Sequence, residues 1–250
     1  MKGIINKIIP FSNVDGPGNR LSIFFQGCNF DCLYCHNPET IKIFNEDNYN
    51  EYDYIENEKL SILTVDEIIK EIDEVAPFIS GITVSGGECT LQWKFLEVLF
   101  KEVKEKYPKF TCFVDSNCSI PLWTDDKKEF INILDKVMID IKGFTVEEHE
   151  VITAVKNNVV IENFKYLAGI NKIYEVRTVI VPEITDNEKM VDNISRLIAE
   201  KDKSIKYKII KYRQNGVRED LLKSYTPNEA YMRNLKKIAE GNGLEDVVVI

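Results

Sequence analysis

The chain has 250 residues, 44% of them hydrophobic and 29% charged, and a formal net charge of -9 at pH 7. That composition excludes a disordered or fibrous chain, and the acidity argues against a nucleic-acid partner, which needs clustered Lys and Arg to displace counterions. No apolar run approaches the ~20 residues that span a bilayer, and the first residues lack a secretory apolar core, so a cytoplasmic protein without membrane contact is expected.

In chain order, the first punctuation is DGPGNR at 15–20, whose proline and glycines set a turn. RLSIFF at 20–25 follows as a strand. The stretch at about 44–60 is acidic, rich in Asn and Tyr and without apolar period, and reads as a surface loop. Thr64 with Glu67 has the spacing of a capping box that opens a helix. From residue 80 onward, short β-branched runs alternate with amphipathic stretches: GITVS at 81–85, FTCFVD at 110–115, KVMIDI at 136–141, YEVRTVIV at 174–181, YKII at 207–210 and VVVI at 247–250. Thr145 with Glu148 and Thr226 with Glu229 mark further helix starts, the latter with Pro227 where a first helical residue tolerates proline. The alternation predicts an α/β fold in one domain over 1–250. Six or more such units close into a full or partial barrel, and an open doubly wound sheet has the same local pattern.

Six cysteines fall at 28, 32, 35, 89, 112 and 118. Three of them form C-x3-C-x2-C within GCNFDCLYCHN, a crowding that points to metal or redox chemistry before disulfides. Thiolates are soft ligands for zinc or iron–sulfur clusters. A structural zinc would take His36 as its fourth ligand, but His36 directly follows Cys35, whereas zinc motifs space successive ligands farther apart. Three thiolates on a four-iron cluster leave one iron open, as a catalytic centre requires. Cys89, Cys112 and Cys118 stand apart and read as small buried hydrophobes.

Polar groups also gather at predicted strand ends. Gly86 and Gly87 follow GITVS and read either as a tight turn or as a place where backbone approaches a ligand, with Glu88 positioned to receive an ammonium group. Asp115 and Asp140 end two further strands, and as buried carboxylates they would require a cation or hydrogen-bond donors. Asp140 and Lys142 also read as ordinary polar residues at a strand end.

The cysteine spacing, with an aromatic (Tyr34) just before the third Cys, resembles the radical S-adenosylmethionine (SAM) superfamily. DGPGNR, GCNFDCLYCHNPET at 27–40, TVSGGE at 83–88, DSN at 115–117 and MIDIK at 138–142 are similar in order and spacing to the glycyl-radical-enzyme activases, relatives of the pyruvate formate-lyase activating enzyme. The resemblance implies a partial (β/α)6 TIM-like barrel and one 4Fe–4S cluster on Cys28, Cys32 and Cys35. It further implies that SAM chelates the open iron and is cleaved to a 5′-deoxyadenosyl radical that takes hydrogen from a glycine of a partner enzyme. By the same resemblance Ser85, Gly86, Gly87 and Glu88 hold the methionine moiety, Tyr34 and His36 border the adenine, and Lys142, Arg177 and Val179 face the cofactor. Asp115 and Asp140 lie near the nucleoside and a monovalent cation, and Asp15 meets the substrate backbone. A flavodoxin or ferredoxin would donate the electron to a monomeric enzyme. Some features depart from the family: Cys89 stands where many relatives have Pro, Cys118 where many have Gly, and Arg213 where a His borders the adenosine. The stretch 41–63 has no cysteines, hence no ferredoxin-like insert. Other small radical SAM enzymes, such as an anaerobic ribonucleotide reductase activase or a small-molecule modifier, share the cluster motif, and an electron carrier or zinc protein would leave the strand-end motifs without a role.

Overall fold

The seven expected strands all form in the computed structural model, each end displaced by at most one residue. The structure describes residues 1–44, 60–218 and 220–250, so the predicted acidic loop lies, apart from its two ends, outside the described residues. Two further strands are present. β1 (Lys2–Ser12) escapes a period-2 reading because it carries Pro10 and two register irregularities, between Ile5 and Lys7 and between Ile9 and Ser12, which break the alternation. β3 (Ser61–Thr64) has only four residues, all half-buried, too few for a pattern to show.

The chain divides into two compact units. The first comprises Met1–Asn29, Glu39–Ser116 and Leu122–Lys136. In it β1 runs antiparallel to both β3 and β2 (Arg20–Phe25), and β4 (Gly81–Gly86) and β5 (Thr111–Ser116) continue from β2 in parallel. Helix α1 (Val65–Val75) starts at the expected box: the Thr64 N–H donates to Glu67 Oε2 at 2.7 Å, and the Glu67 N–H returns a bond to Thr64 Oγ1. It buries Val65, Ile68, Ile72 and Val75, one helical stripe. Helix α2 (Trp93–Lys106) buries Phe95, Leu96, Leu99, Phe100 and Val103 in the same way, and the short α3 (Lys128–Ile133) adds Phe130, stacked on Phe100.

The second unit comprises Phe30–Pro38, Asn117–Pro121 and Val137–Ile250. Here β6 (Lys136–Asp140), β7 (Ile173–Ile180), β8 (Lys206–Lys211) and β9 (Val247–Val249) are parallel neighbours in that order. The intervening helices are α4 (Val146–Thr153), α5 (Asn158–Gly169), α6 (Asn187–Ala199) and α7 (Glu229–Gly241). The Thr145–Glu148 capping box forms as expected, but the start predicted at Thr226 does not. Asn228 caps α7 instead, its side chain accepting from the Tyr231 N–H at 2.9 Å, and Glu229 pairs with Lys211. An asparagine caps as well as a threonine, and its position two residues later fixes the start. No helix among the described residues is long and apolar enough to cross a membrane.

Candidate functional site

The residues singled out by sequence fall in both units. In the first, the glycine pair at the end of β4 is held against the backbone on either side of the cysteine loop. The Gly87 N–H donates to Phe25 O at 3.0 Å and the Glu88 N–H to Gly27 O at 2.7 Å, while the Gly27 and Cys28 N–H groups donate to Thr40 O and Ile41 O. A Cβ on Gly86 would stand 2.2 Å from Phe25 O, and one on Gly87 2.4 Å from Gly27 O. Gly86 also has φ of 119°. Close backbone packing therefore requires both glycines before any ligand is considered. Glu88 is fully buried, and its Oε1 accepts from the Thr90 N–H, the Thr90 hydroxyl and, at 2.7 Å, the Ser116 hydroxyl. Ser85 donates to Asp115 at 3.2 Å.

The DGPGNR turn is tied down from within. Arg20 is fully buried and donates to Thr83 Oγ1 at 2.7 Å, to Ile82 O at 2.5 Å and to Thr111 O at 2.8 Å, with its guanidinium 4.3 Å over the Phe113 ring. Asp15 Oδ2 accepts from Ser12 at 2.6 Å and Ser22 at 2.8 Å, and its carbonyl accepts from Thr83 Oγ1. Part of this carboxylate thus shapes the turn that carries it.

In the second unit, Asp31 to His36 form a loop bonded to the end of α4 and to the segment 213–218. The Asp31 and Leu33 N–H groups donate to Thr153 O and Ile152 O, and the Cys35 N–H closes a turn on Cys32 O. Arg218 reaches Asp31 and the Cys32 carbonyl, the latter at 3.1 Å; His36 Nε2 lies 3.0 Å from Arg213 O. Gly216, with φ of 81°, passes so near that a Cβ would stand 2.8 Å from His36 O. Tyr34 is buried with Val181, Tyr212 and Leu222, and Val179 packs against this group. The Lys142 ammonium stands 2.7 Å from Asp140 and 5.7 Å over the Tyr34 ring. Burial pulls its pKa down, but Asp140, supported by Tyr34 and Cys32, more than reverses this and holds it well above its ordinary value. Burial pushes the Cys32 thiol up to about 11, with Lys142 acting in the opposite sense. Arg177 neutralises the buried Glu175, as does Lys208 at 2.7 Å.

Two expectations need correction or completion. Asp115 and Asp140 are not fully buried carboxylates; both are half-buried, near or at the ends of their strands, and each has a partner in its own unit. Sequence reasoning also passed over Arg20, Arg218 and Asn163. Asn163, fully buried on α5, donates to the Cys118 and Ile120 carbonyls at 2.7 Å each. Cys118 has φ of 52°, a left-handed conformation that glycine adopts freely. None of the six cysteines is in a disulfide, and Cys89, Cys112 and Cys118 are fully buried.

Residues 22–194 match the family model of the Radical SAM superfamily. The chain is also 33% identical over 268 residues to a protein of Haemophilus influenzae named for glycyl-radical enzyme activation, covering 98% of this chain and 96% of that one. This chain is a radical SAM enzyme of the glycyl-radical-enzyme activating family. It is 29% identical to the pyruvate formate-lyase-activating enzyme of Streptococcus mutans, over 98% of this chain and 93% of the relative. The crystal structure of QueE from Escherichia coli shares the fold, with a TM-score of 0.60 at 12% identity over 100% of this chain and 94% of that one. The fold is accordingly the α/β partial barrel of radical SAM enzymes. Membership implies a 4Fe–4S cluster and SAM. The donor chemistry fits, with three cysteines outside any disulfide between positions 28 and 35. Among the described residues no three His, Cys, Asp or Glu side chains converge as on a single ion; a cluster of several irons takes its thiolates from farther apart.

Proposed function

We propose that this enzyme installs a radical on a glycine of a partner glycyl radical enzyme. The observation that carries the reading is the end-to-end likeness to an activating enzyme, 98% of one chain against 96% of the other, with no substantial part of either left for a different task. When bound, the cluster and SAM supply one electron and a 5′-deoxyadenosyl radical able to abstract hydrogen. The chain's own residues hold these groups and bring the glycine to them. Cys28, Cys32 and Cys35 ligate three irons, leaving the fourth for SAM. Ser85, Gly86, Gly87 and Glu88 hold the methionine moiety, the glycine backbone offering close approach and Glu88 a buried carboxylate. Tyr34, His36 and Arg213 border the adenosine, Lys142, Arg177 and Val179 line the rest of the cofactor, and Asp115 and Asp140 flank a monovalent cation. Asp15, fixed by Ser12 and Ser22, presents the turn that receives the extended glycine-bearing segment, where only backbone is available to grip. The enzyme acts as a cytoplasmic monomer with a flavodoxin or ferredoxin as donor.

The test is anaerobic reconstitution, followed by electron paramagnetic resonance of a candidate partner and chromatographic measurement of 5′-deoxyadenosine. Wild-type protein should bind about four irons and give a glycyl radical. Cys28→Ala, Cys32→Ala and Cys35→Ala should each lose cluster and both products, whereas Cys112→Ala keeps them. Full activity in Cys32→Ala would sink the ligand assignment, and 5′-deoxyadenosine without a glycyl radical on any partner would sink the substrate.

A further inference from the structure

Of the two histidines, His149 on α4 takes no part in the cofactor assignments, yet it is fully buried. Its Nδ1 lies 2.6 Å from Val155 O, and since a carbonyl only accepts, Nδ1 carries a proton and donates it. Burial lowers the pKa of the ring, with the Val155 bond opposing and Lys142 adding to the fall, so the imidazole is neutral. Nε2 is then bare, and it is buried with no hydrogen-bond partner among the described residues.

A buried acceptor left unpaired costs free energy, so an imidazole kept in this state has another use for its ring. That use lies in what surrounds it. Thr153 Oγ1 stands 3.0 Å from Nδ1, donates to His149 O at 2.8 Å and accepts from the Val155 N–H at 3.1 Å. His149 thus ties down the last turn of α4 and the chain that leaves it through Ala154, which has φ of 64°. A helix leaves its last carbonyls without intrahelical donors. Here two of them, Ile152 O and Thr153 O, are met by the Leu33 and Asp31 N–H groups of the cysteine loop, at 2.9 and 3.1 Å. The His149 ring also stands edge-on to Phe30, two residues before Cys32, with centroids 5.2 Å apart. Bond and ring therefore reach the same short stretch, Phe30 to Leu33.

We infer that His149 is a positioning residue for the iron–sulfur cluster, a role that rests on the reading of Cys32 as a cluster ligand. Its Nδ1–H fixes the end of α4, whose carbonyls in turn fix the backbone on both sides of Cys32. Asp31 and Leu33 are the immediate neighbours of Cys32, so a shift of either acceptor moves the thiolate between them. No other side chain of this size both donates from the Nδ1 position and presents a ring edge to Phe30, which accounts for the bare Nε2. Groups that hold metal ligands from behind in this way influence a centre that they never touch.

The experiment compares wild type with His149→Phe, which keeps a ring without the donor, and His149→Asn, whose amide donates from close to the Nδ1 position. Ile194→Val, a truncation of the buried face of α6, serves as the control for general loss of stability. Hydrogen–deuterium exchange of residues 30–33 is measured before reconstitution, and afterwards the paramagnetic resonance of the reduced cluster and the 5′-deoxyadenosine formed per cluster with dithionite. His149→Phe should exchange faster at 30–33, broaden the resonance and lower the 5′-deoxyadenosine rate about tenfold or more. His149→Asn should recover most of that loss, and Ile194→Val should leave exchange and resonance as in wild type. The inference is overturned if His149→Phe, folded by circular dichroism, matches wild type in exchange at 30–33 or in the resonance, if His149→Asn falls as far as His149→Phe, or if Ile194→Val moves the same signals. Cys32→Ala, run in parallel, tests the ligand reading by itself: a cluster retained there overturns that reading and this role together, whereas with its cluster lost the outcomes above bear on His149 alone.

Discussion

Two loops that the proposed function needs are fastened by arginines in opposite ways. The DGPGNR turn is held by Arg20, its own last residue, which is fully buried and spreads its donors over neutral oxygens of β4 and β5. The Asp31–His36 loop is held by Arg218, 186 residues beyond the Cys32 carbonyl that it meets, in an ion pair whose side chains remain 26% and 56% exposed. A buried clamp makes its loop inseparable from the fold, whereas an exposed one can fix a loop without greatly stabilising the protein. The first turn should therefore fail only by unfolding and the second by losing its shape.

The largest effect is expected at Arg20. Arg20→Ala strands several buried acceptors and should cost at least about 3 kcal/mol, visible as a large fall in the denaturation midpoint. Arg20→Lys should recover only part of this, because an ammonium cannot reproduce the planar fork that meets Thr83 and Thr111 together. A loss below 1 kcal/mol in urea titrations would show that this clamp too is peripheral.

Gly87→Ala should come next, at about 2 kcal/mol, since its Cβ would meet the Gly27 and Thr40 carbonyls at 2.4 and 2.7 Å and the backbone must move. Because the same contacts place Cys28, iron content after reconstitution should fall with stability. Iron retained at full stoichiometry would separate the glycine pair from the cysteine loop.

This contrast also sets what could be read from sequence. The parallel strands declare themselves by β-branched runs, and the cysteine spacing is legible because its information lies within one short segment. Arg20 sits inside a recognisable motif, yet nothing local says that it turns inward. Arg218 and Asn163 leave no local signal, since their partners are brought to them by the fold. β1 was hidden by Pro10 and its bulges, and the start of α7 by a second capping residue close to the first. Local chemistry reads well from sequence; contacts made across the fold do not.

A smaller effect is expected in alkali, and it tests the buried wall behind Arg20. Burial pushes the Cys112 thiol up to about 12 from an ordinary 9.0, against an opposing contribution from Lys104. Between those values the unfolded chain has released a proton that the folded chain keeps, so stability falls as pH rises. By pH 10 the loss from this group should reach about 1.4 kcal/mol. The stability difference between wild type and Cys112→Ala should shrink by that amount from pH 8 to pH 10 in anaerobic urea titrations. A constant difference would mean that the thiol ionises freely and that the wall is open to water.

The smallest effect on stability, and the most selective, is expected at Arg218. Its ion pair with Asp31 is half-exposed, so Arg218→Ala should cost no more than about 1 kcal/mol. The consequence should appear instead at the loop. Without that donor the Cys32 carbonyl loses its bond from the 213–218 segment, and Cys32 and Cys35, linked through the turn between them, lose a fixed position. Iron should then be retained less well after desalting, and the resonance of the reduced cluster should broaden while the denaturation midpoint scarcely moves. Arg218→Lys discriminates between charge and placement: both bonds come from one nitrogen, Nη2, so an ammonium can replace them only where the lysine stem carries it to the same point. If Arg218→Lys restores the wild-type spectrum, attraction to Asp31 suffices to set the loop. If it behaves as Arg218→Ala, the placement of Nη2 by the guanidinium is what shapes it. If neither variant changes the cluster, the loop is held from the α4 side alone, through Thr153 and Ile152, and Arg218 belongs with the ordinary surface ion pairs.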